Sequence, residues 1–296
     1  MLSKQSIINI LRKFRVFRKY FHKRDLNKRF KTEIELLGNK VNSNSNVTSI
    51  IHFSLNKAAT QYVKKVLLKL IEDKSIVPVH LNEYAFNSSL PYLDHLSKLE
   101  MKRFEHVFKT NGFLYTVFGG FVEGIQNLDQ YKILLTLRDP RDILTSMYYS
   151  TTISHPVPNE FSLKRSSFEK KREDSKSMDI DTFVLKNADK LYEQYEKYRK
   201  NLTEMDNVLL LKYENMIEDF PNWLDQIIDF FDLNTSTEAR DNIIKNHLLK
   251  KPVKEDISKH LRKGVAGDYK EKLKPETIEK LNDKFQFVLE SFNYLT

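Results

Sequence analysis

Five short runs of β-favouring residues alternate with stretches of helical periodicity along most of this chain. That alternation restricts the fold more than any other feature. The runs are Val47–Phe53, Ile76–Leu81, Phe113–Phe118, Lys132–Leu137 and Val208–Lys212. Helical stretches near 58–72, 92–108, 140–149 and 181–200 separate them, and stretches near 221–231, 236–249 and 275–291 fill the last third. Parallel strands need crossovers of a dozen or more residues, and these intervals are of that length. The pattern therefore predicts a single α/β domain with a central parallel sheet flanked by helices. Residues 151–178, with two prolines, several serines and many charges, predict a mobile surface loop inside that domain.

Charge narrows the partners. The chain has 296 residues, a formal charge of +9 and no cysteine. Without thiols there is no disulfide framework, thiolate zinc site, iron–sulfur cluster or cysteine nucleophile. Residues 1–31 hold eleven Lys and Arg against Asp25 alone, a local +10 that leaves the rest of the chain near −1. A nucleic-acid-binding face on the globular body is thereby disfavoured. Ile7, Ile10, Leu11, Phe14, Phe17 and Phe21 follow helical spacing within the basic segment. Residues 1–37 thus read as a basic amphipathic helical segment, 38–46 as a polar Asn/Ser linker and 47–296 as the α/β domain. The basic helix suits an anionic membrane surface, a partner protein or the protein's own body. No apolar run reaches the ~20 residues that cross a bilayer, and the charged first twenty residues do not resemble a secretory signal. The expectation is a cytoplasmic protein, peripheral on the inner face of a membrane if its basic helix binds there.

Three segments carry chemistry. In the first, the strand before Ser54 runs through a tight turn, Leu55-Asn-Lys57-Ala-Ala-Thr60, into a helix. Backbone N–H groups at that helix start, with Lys57 and the Thr60 hydroxyl, form a potential anion cradle. The turn has no glycine and is not a Walker loop. Alanine resists positive φ, so Ala58 and Ala59 are expected to be helical rather than left-handed. In the second, a strand ends at Arg138 and Asp139-Pro140 opens a helix, at the edge where open parallel sheets bind ligands. Ser146 lies two turns further on, placed to share one phosphate with Arg138. Arg141 and Asp142 are read as helix-start ion-pair residues. The third, Arg262-Lys263-Gly264-Val-Ala-Gly267-Asp-Tyr269, spends two of only seven glycines within four residues, which suggests a backbone constraint around an anion.

In this order the segments resemble the sulfotransferase family, whose donor is 3′-phosphoadenosine 5′-phosphosulfate (PAPS). Lys57-Ala-Ala-Thr-Gln-Tyr62 resembles its 5′-phosphosulfate loop, Arg138 to Ser146 its 3′-phosphate motif, and Arg262 to Tyr269 its Arg-Lys-Gly loop, with Tyr269 in place of Trp. Val208-Leu-Leu-Leu-Lys-Tyr213-Glu-Asn resembles the strand beside the adenine. The resemblance covers about 47 to 291 and implies a P-loop NTPase-like sulfotransferase fold. It implies that Lys57 stabilises the leaving charge and that Ala58, Ala59, Thr60 and Gln61 wrap the 5′-phosphate. Arg138, Ser146, Arg262, Lys263 and Gly264 would hold the 3′-phosphate, while Tyr62 and Tyr213 would line the adenine pocket. The product would be adenosine 3′,5′-bisphosphate (PAP), and the acceptor a hydroxyl, with an amine the lesser alternative.

The general base is open. The small-molecule branch of the family uses a His on the strand before the 3′-phosphate strand, and residues 112–125 contain none. The carbohydrate branch uses a Glu after the second strand, which Glu83 resembles, with His80 and then Glu123 as alternatives; Glu83 tilts the acceptor towards a carbohydrate or a lipid-linked glycan. Fixed cations suffice to offset the donor's charge, and no Asp/His cluster has metal-ligand spacing, so no metal is expected. His22, His95, His155 and His247 read as surface or helix histidines, and Tyr192, Tyr195 and Tyr198 as packing. A nucleotide or sugar kinase of related fold, or a non-catalytic PAP- or membrane-binding protein, are the alternative readings.

Overall fold

A computed structural model describes residues 14–41, 45–248, 256 and 263–295. Its centre is a five-stranded parallel sheet in the order β2-β3-β1-β4-β5. The strands are β1 (Ile50–Ser54), β2 (Val77–Val79), β3 (Phe113–Phe118), β4 (Lys132–Leu137) and β5 (Val208–Lys212). Each matches a run read from the sequence, because both faces are covered and the strands are correspondingly apolar. The helices that position the site are α1 (Arg15–Arg29), α2 (Thr60–Leu70), α3 (Leu81–Asn87), α4 (Pro140–Tyr149), α5 (Arg165–Lys176), α6 (Ile180–Leu202), α7 (Phe220–Phe231), α8 (Thr237–Leu248) and α9 (Pro275–Ser291).

Two cores sandwich the sheet. Ile51, Phe53, Ile133 and Leu135 pack with α6 and α9, where Tyr195, Tyr198, Leu281 and Phe285 are buried. On the opposite face Ile50, Leu114 and Leu134 pack with Val63, Leu67, Trp223 and Leu224 of α2 and α7. The packing role expected of Tyr195 and Tyr198 holds, and their hydroxyls bond the carbonyls of Arg138 and Ser54. On that second face His52 bridges the strands, with Nδ1 3.0 Å from Thr116 Oγ1 and Nε2 3.0 Å from Thr136 Oγ1.

Several expectations need correction. Residues 151–178 are not one continuous loop: only 155–164 and 177–178 are irregular. A π-helical turn, Ser150–Ser154, continues α4, and α5 follows; Arg172 ties the two by donating to the Thr151 carbonyl at 3.0 Å. The stretch near 92–108 is three short pieces, because Ser97 and Glu100 form a capping box that restarts the chain as a new helix. The second strand ends at Val79, and Leu81 already opens α3. In the basic segment, α1 follows an extended Phe14 and breaks at Phe30. Its predicted apolar stripe divides: Phe21 is buried, whereas Phe14, Phe17 and the neighbouring Tyr20 are exposed. Ile7, Ile10 and Leu11 lie outside the described residues.

Candidate active site

Growth of the sheet reverses at β1: the chain leaves it toward β2 and β3, then returns to its other side for β4 and β5. The C-terminal ends of β1 and β4 therefore border a crevice, the place where open α/β sheets bind ligands. Lys57 follows β1 and Arg138 follows β4 at that crevice. Paired register from Ile50 with Lys132 to Ser54 with Thr136 brings the two strand ends level.

The turn after β1 is tight and strained. Ala58 N–H donates to the Leu55 carbonyl at 3.0 Å, and the Thr60 hydroxyl closes the same carbonyl at 3.1 Å. Lys57 has φ +79° and Ala59 φ +58°, so the helical backbone expected at Ala59 is wrong. Left-handed backbone costs a non-glycine residue roughly 1–2 kcal/mol. It is held here because the chain must reverse from β1 into α2 with the Ala58 side chain buried. The Thr60 hydroxyl also lies 3.0 Å from Ser54 Oγ, so it stabilises the turn rather than standing free for an anion. What faces the crevice is the start of α2, whose first N–H groups have no carbonyl four residues back. The Lys57 carbonyl, one such i−4 position for Gln61, instead accepts from Arg138 Nη1 at 3.2 Å.

Arg138 joins all three segments. Besides Lys57, it donates to the Val265 carbonyl at 3.1 Å and pairs with Asp142 at 3.3 Å. Asp142, fully enclosed, also accepts the N–H groups of Gly267 at 2.8 Å and Tyr269 at 3.0 Å. The glycine-rich loop is thereby fastened to the start of α4. Gly264 and Gly267 have φ of +68° and +78°. A side chain on Gly267 would meet nothing within 4 Å, so backbone conformation rather than space demands glycine there. The Tyr213 ring lies under the Arg138 guanidinium, 4.2 Å from its centroid. The buried Nε of Arg138 has no partner among the described residues. A buried, braced guanidinium with an unspent donor, beside a helix start, fits a polyanionic phosphate ligand.

Lys57 donates to Ser150 Oγ at 2.5 Å. Burial and the neighbouring Arg138 charge lower its pKa to about 8. Ser146 is half-buried on α4, and Lys263 is engaged by Glu271 at 2.5 Å and Asp268 at 3.3 Å. Arg262 lies outside the described residues. Tyr62 does not present a free face: its hydroxyl lies 2.5 Å from His247 Nδ1, and its ring packs edge-on to Phe220 and His247. His247 lies in α8, as the helix reading implies, but is buried rather than at the surface and stacks on Phe220 with centroids 3.8 Å apart. Arg141 pairs with Asp139 at 2.6 Å, as its helix-start reading implies.

Glu83 lies in the first turn of α3. Its carboxylate is bound by Lys64, and Arg29 of α1 is 3.3 Å away. These cations hold it below the usual carboxylate range despite burial. His80 stays neutral, lowered to about 4 by burial and the Lys64 charge, and its backbone N–H donates to Glu33 at 2.6 Å. Glu123 pairs with Lys197 at 2.7 Å. Among the described residues no group of three His, Cys, Asp or Glu side chains could hold a metal ion, and no helix is long and apolar enough to cross a membrane.

Sequence reasoning missed Ser150 and Glu214. Glu214 accepts the Asp139 N–H at 2.9 Å, and burial raises it to about 6. Nothing in the local sequence marks Ser150, because its partner Lys57 is 93 residues away. Asp142 was legible only as an ion-pair residue, not as the anchor of the third segment.

Comparison with known proteins identifies the family. Residues 121–293, more than half of the chain, match the profile of the sulfotransferase domain family. That match contains the Arg138 and Gly264 segments and begins beyond Lys57. A curated relative is rat sulfotransferase 2A1, 25% identical, with 54% of this chain aligned to 57% of that protein. The chain thus aligns with little more than half the length of that relative. The solved structure of mouse sulfotransferase SULT7A1 complexed with PAP superposes with a TM-score of 0.56 at 18% identity, covering 86% of this chain and 89% of that one. At that identity the likeness establishes the fold.

Proposed function

The chain belongs to the sulfotransferase family, and from that premise we propose that it moves a sulfuryl group from PAPS to an acceptor hydroxyl by in-line displacement. The observation that carries the reading is Arg138, whose guanidinium binds the Lys57 turn, Val265 and Asp142 together and keeps one buried donor unspent. Arg138, Ser146, Lys263 and Gly264, with Arg262, would take the 3′-phosphate. The backbone of Ala58 to Gln61 would take the 5′-phosphate. Lys57 would meet the bridging oxygen, where negative charge develops as the S–O bond breaks. Tyr213, beneath Arg138, and Tyr62, with its His247 partner displaced, would border the adenine. Catalysis of this kind needs no metal, because the donor's charge is met by fixed cations and amides.

The acceptor is proposed to be a carbohydrate or lipid-linked alcohol. Supporting the lipid-linked alcohol is the surface of α1, where Phe14, Val16, Phe17 and Tyr20 are exposed beside Arg15, Lys19 and Lys23. Aromatic rings beside cations suit an anionic lipid interface. Meanwhile α1 is anchored to the body through Phe21, through Arg18 with Glu160 at 2.7 Å, and through Arg29 with Glu83.

The deciding experiment is calorimetric titration with PAP, followed by an acceptor screen with labelled PAPS read by mass spectrometry. Tight PAP binding and a product heavier by one sulfuryl group are expected. Binding of ATP in preference to PAP, or a phosphorylated product, overturns the proposal in favour of a kinase. PAP binding with no product across phenols, sterols, glycans and glycolipids favours a non-catalytic binding protein.

A further inference from the structure

One titratable side chain, linked to Lys57 through Ser150, has no part in the arrangement described so far. His155 closes the π-helical turn Ser150–Ser154. Its backbone N–H donates to the Ser150 carbonyl at 2.9 Å, while the Ser150 hydroxyl accepts from Lys57 at 2.5 Å. The imidazole is near enough to Lys57 for that cation's field to act on it. Two aromatic rings set its orientation. Phe86 of α3 and Phe168 of α5 pack on the ring at 5.8 and 5.3 Å. Arg172 of α5 donates to the His155 and Thr151 carbonyls, fixing the backbone of the turn.

The tautomer follows from one hydrogen bond. Nδ1 lies 2.9 Å from the Pro156 carbonyl. A carbonyl only accepts, so Nδ1 carries the hydrogen and Nε2 carries the lone pair. The charged groups acting on the ring are Lys57, after β1, and Arg172 and Lys171 of α5. All are cations. With burial as the largest effect, they outweigh the Pro156 carbonyl and lower the proton affinity of the ring. The imidazole is therefore neutral at pH 7, with its basic nitrogen unprotonated. Glu83 contrasts with it, since two cations occupy its carboxylate.

We infer that His155 is the general base of sulfuryl transfer, accepting the acceptor's hydroxyl proton on Nε2. The inference rests on the sulfotransferase reading above. In the step, the acceptor oxygen attacks the sulfur of PAPS and forms the new S–O bond. The O–H bond breaks and its proton passes to Nε2. The bond from sulfur to the 5′-phosphate oxygen breaks, and its electron pair leaves on PAP beside Lys57. The products are a sulfate ester, PAP and an imidazolium that returns its proton to solvent. The aromatic flanks of His155 suit an acceptor that presents a flat apolar or sugar-ring face to them.

The test uses the full chain, labelled PAPS and three acceptor probes: 2-naphthol, dodecan-1-ol and chitotriose. His155→Gln and His155→Ala are compared with Glu83→Gln, PAP affinity being measured in each. For the His155 variants the expected result is PAP binding within about twofold of the parent and a kcat lower by about 10²–10⁴-fold. They also lose the acidic limb of the kcat/KM profile, and added imidazole restores part of the rate of His155→Ala. His155→Gln within threefold of the parent with that limb intact, or loss of the limb in Glu83→Gln instead, overturns the assignment while leaving the family activity standing. A parent chain that fails to bind PAP, or binds it and sulfates none of the probes, counts against the activity and the assignment together.

Discussion

The Arg138 guanidinium donates to the main-chain carbonyl of Lys57 at 3.2 Å, joining two residues 81 positions apart. The same side chain pairs with Asp142, which in turn holds the N–H groups of Gly267 and Tyr269. The proposed site is thus a braced ring in which the ligand-facing cation is also a structural strut. Changes there are expected to affect binding and stability together.

Asp142→Asn tests the brace. The Asp142 side chain has no exposed surface, and its carboxylate is the acceptor for Arg138 and two amides. Breaking a buried ion pair from one side costs about 3–5 kcal/mol. A lowered melting temperature and at least tenfold weaker PAP binding are expected, read by differential scanning calorimetry and titration calorimetry. Unchanged melting with unchanged affinity counts against the brace.

Lys57 has an ordinary value of 10.5 lowered to about 8 by burial and by Arg138. An anion bound against it restores the cation, so PAP binding near pH 8 should take up a fraction of a proton. Affinity should then fall as pH rises above about 8. Titrations in buffers of different ionisation enthalpy read the uptake directly, and Lys57→Met should abolish it. That variant should also slow transfer by about 10²–10³-fold.

His52 is fully buried between two threonine hydroxyls, and burial lowers its pKa from 6.5 to about 3. The unfolded chain takes up a proton below pH 6.5 and the folded chain does not. Stability from this residue is therefore complete above 6.5 and lost as pH falls towards 3. From pH 6.5 to 4.5 the loss is about 2.3 kcal/mol, because the unfolded histidine is only half protonated at pH 6.5. His80, lowered to about 4, acts in the same direction. Urea unfolding across that range should show the slope, and His52→Gln should reduce it by close to one proton.

Glu83→Gln removes the partner of both Lys64 and Arg29. Hydrogen bonds to charged groups contribute about 1.5–3 kcal/mol, so a clear fall in melting temperature is expected. The folded-state pKa of Glu83 is below 4.5. Its contribution is therefore present above that value and disappears as pH falls through the lower folded value. A variant as stable as the parent at pH 7 contradicts the pairing.

The exposed face of α1 predicts co-sedimentation with vesicles containing phosphatidylserine, and weaker binding to phosphatidylcholine alone. Replacing Phe14, Phe17 and Tyr20 together with serine should lower the partition coefficient at least tenfold and leave the melting temperature unchanged, since these rings are largely solvent-exposed. Equal binding of both proteins to both vesicle types removes the membrane reading.

What the sequence determined by itself was the layout: five apolar runs at crossover spacing, a basic segment at the start, and cations at Lys57, Arg138 and Lys263 in family order. Those features are local, because strand burial, helix starts and turn chemistry are written within a few residues of each other. Tertiary structure alone decided how the pieces are used. Ala59 takes a left-handed turn against its own preference because β1 and α2 leave it no other path. Glu83, read as a base from its neighbours in sequence, is bound by Lys64 and Arg29. His155, unremarkable in sequence, acquires its tautomer and its orientation only through Ser150, Pro156, Phe86 and Phe168. Each of those outcomes depends on contacts between distant segments, and a side chain's proton affinity and orientation are set by what packs around it.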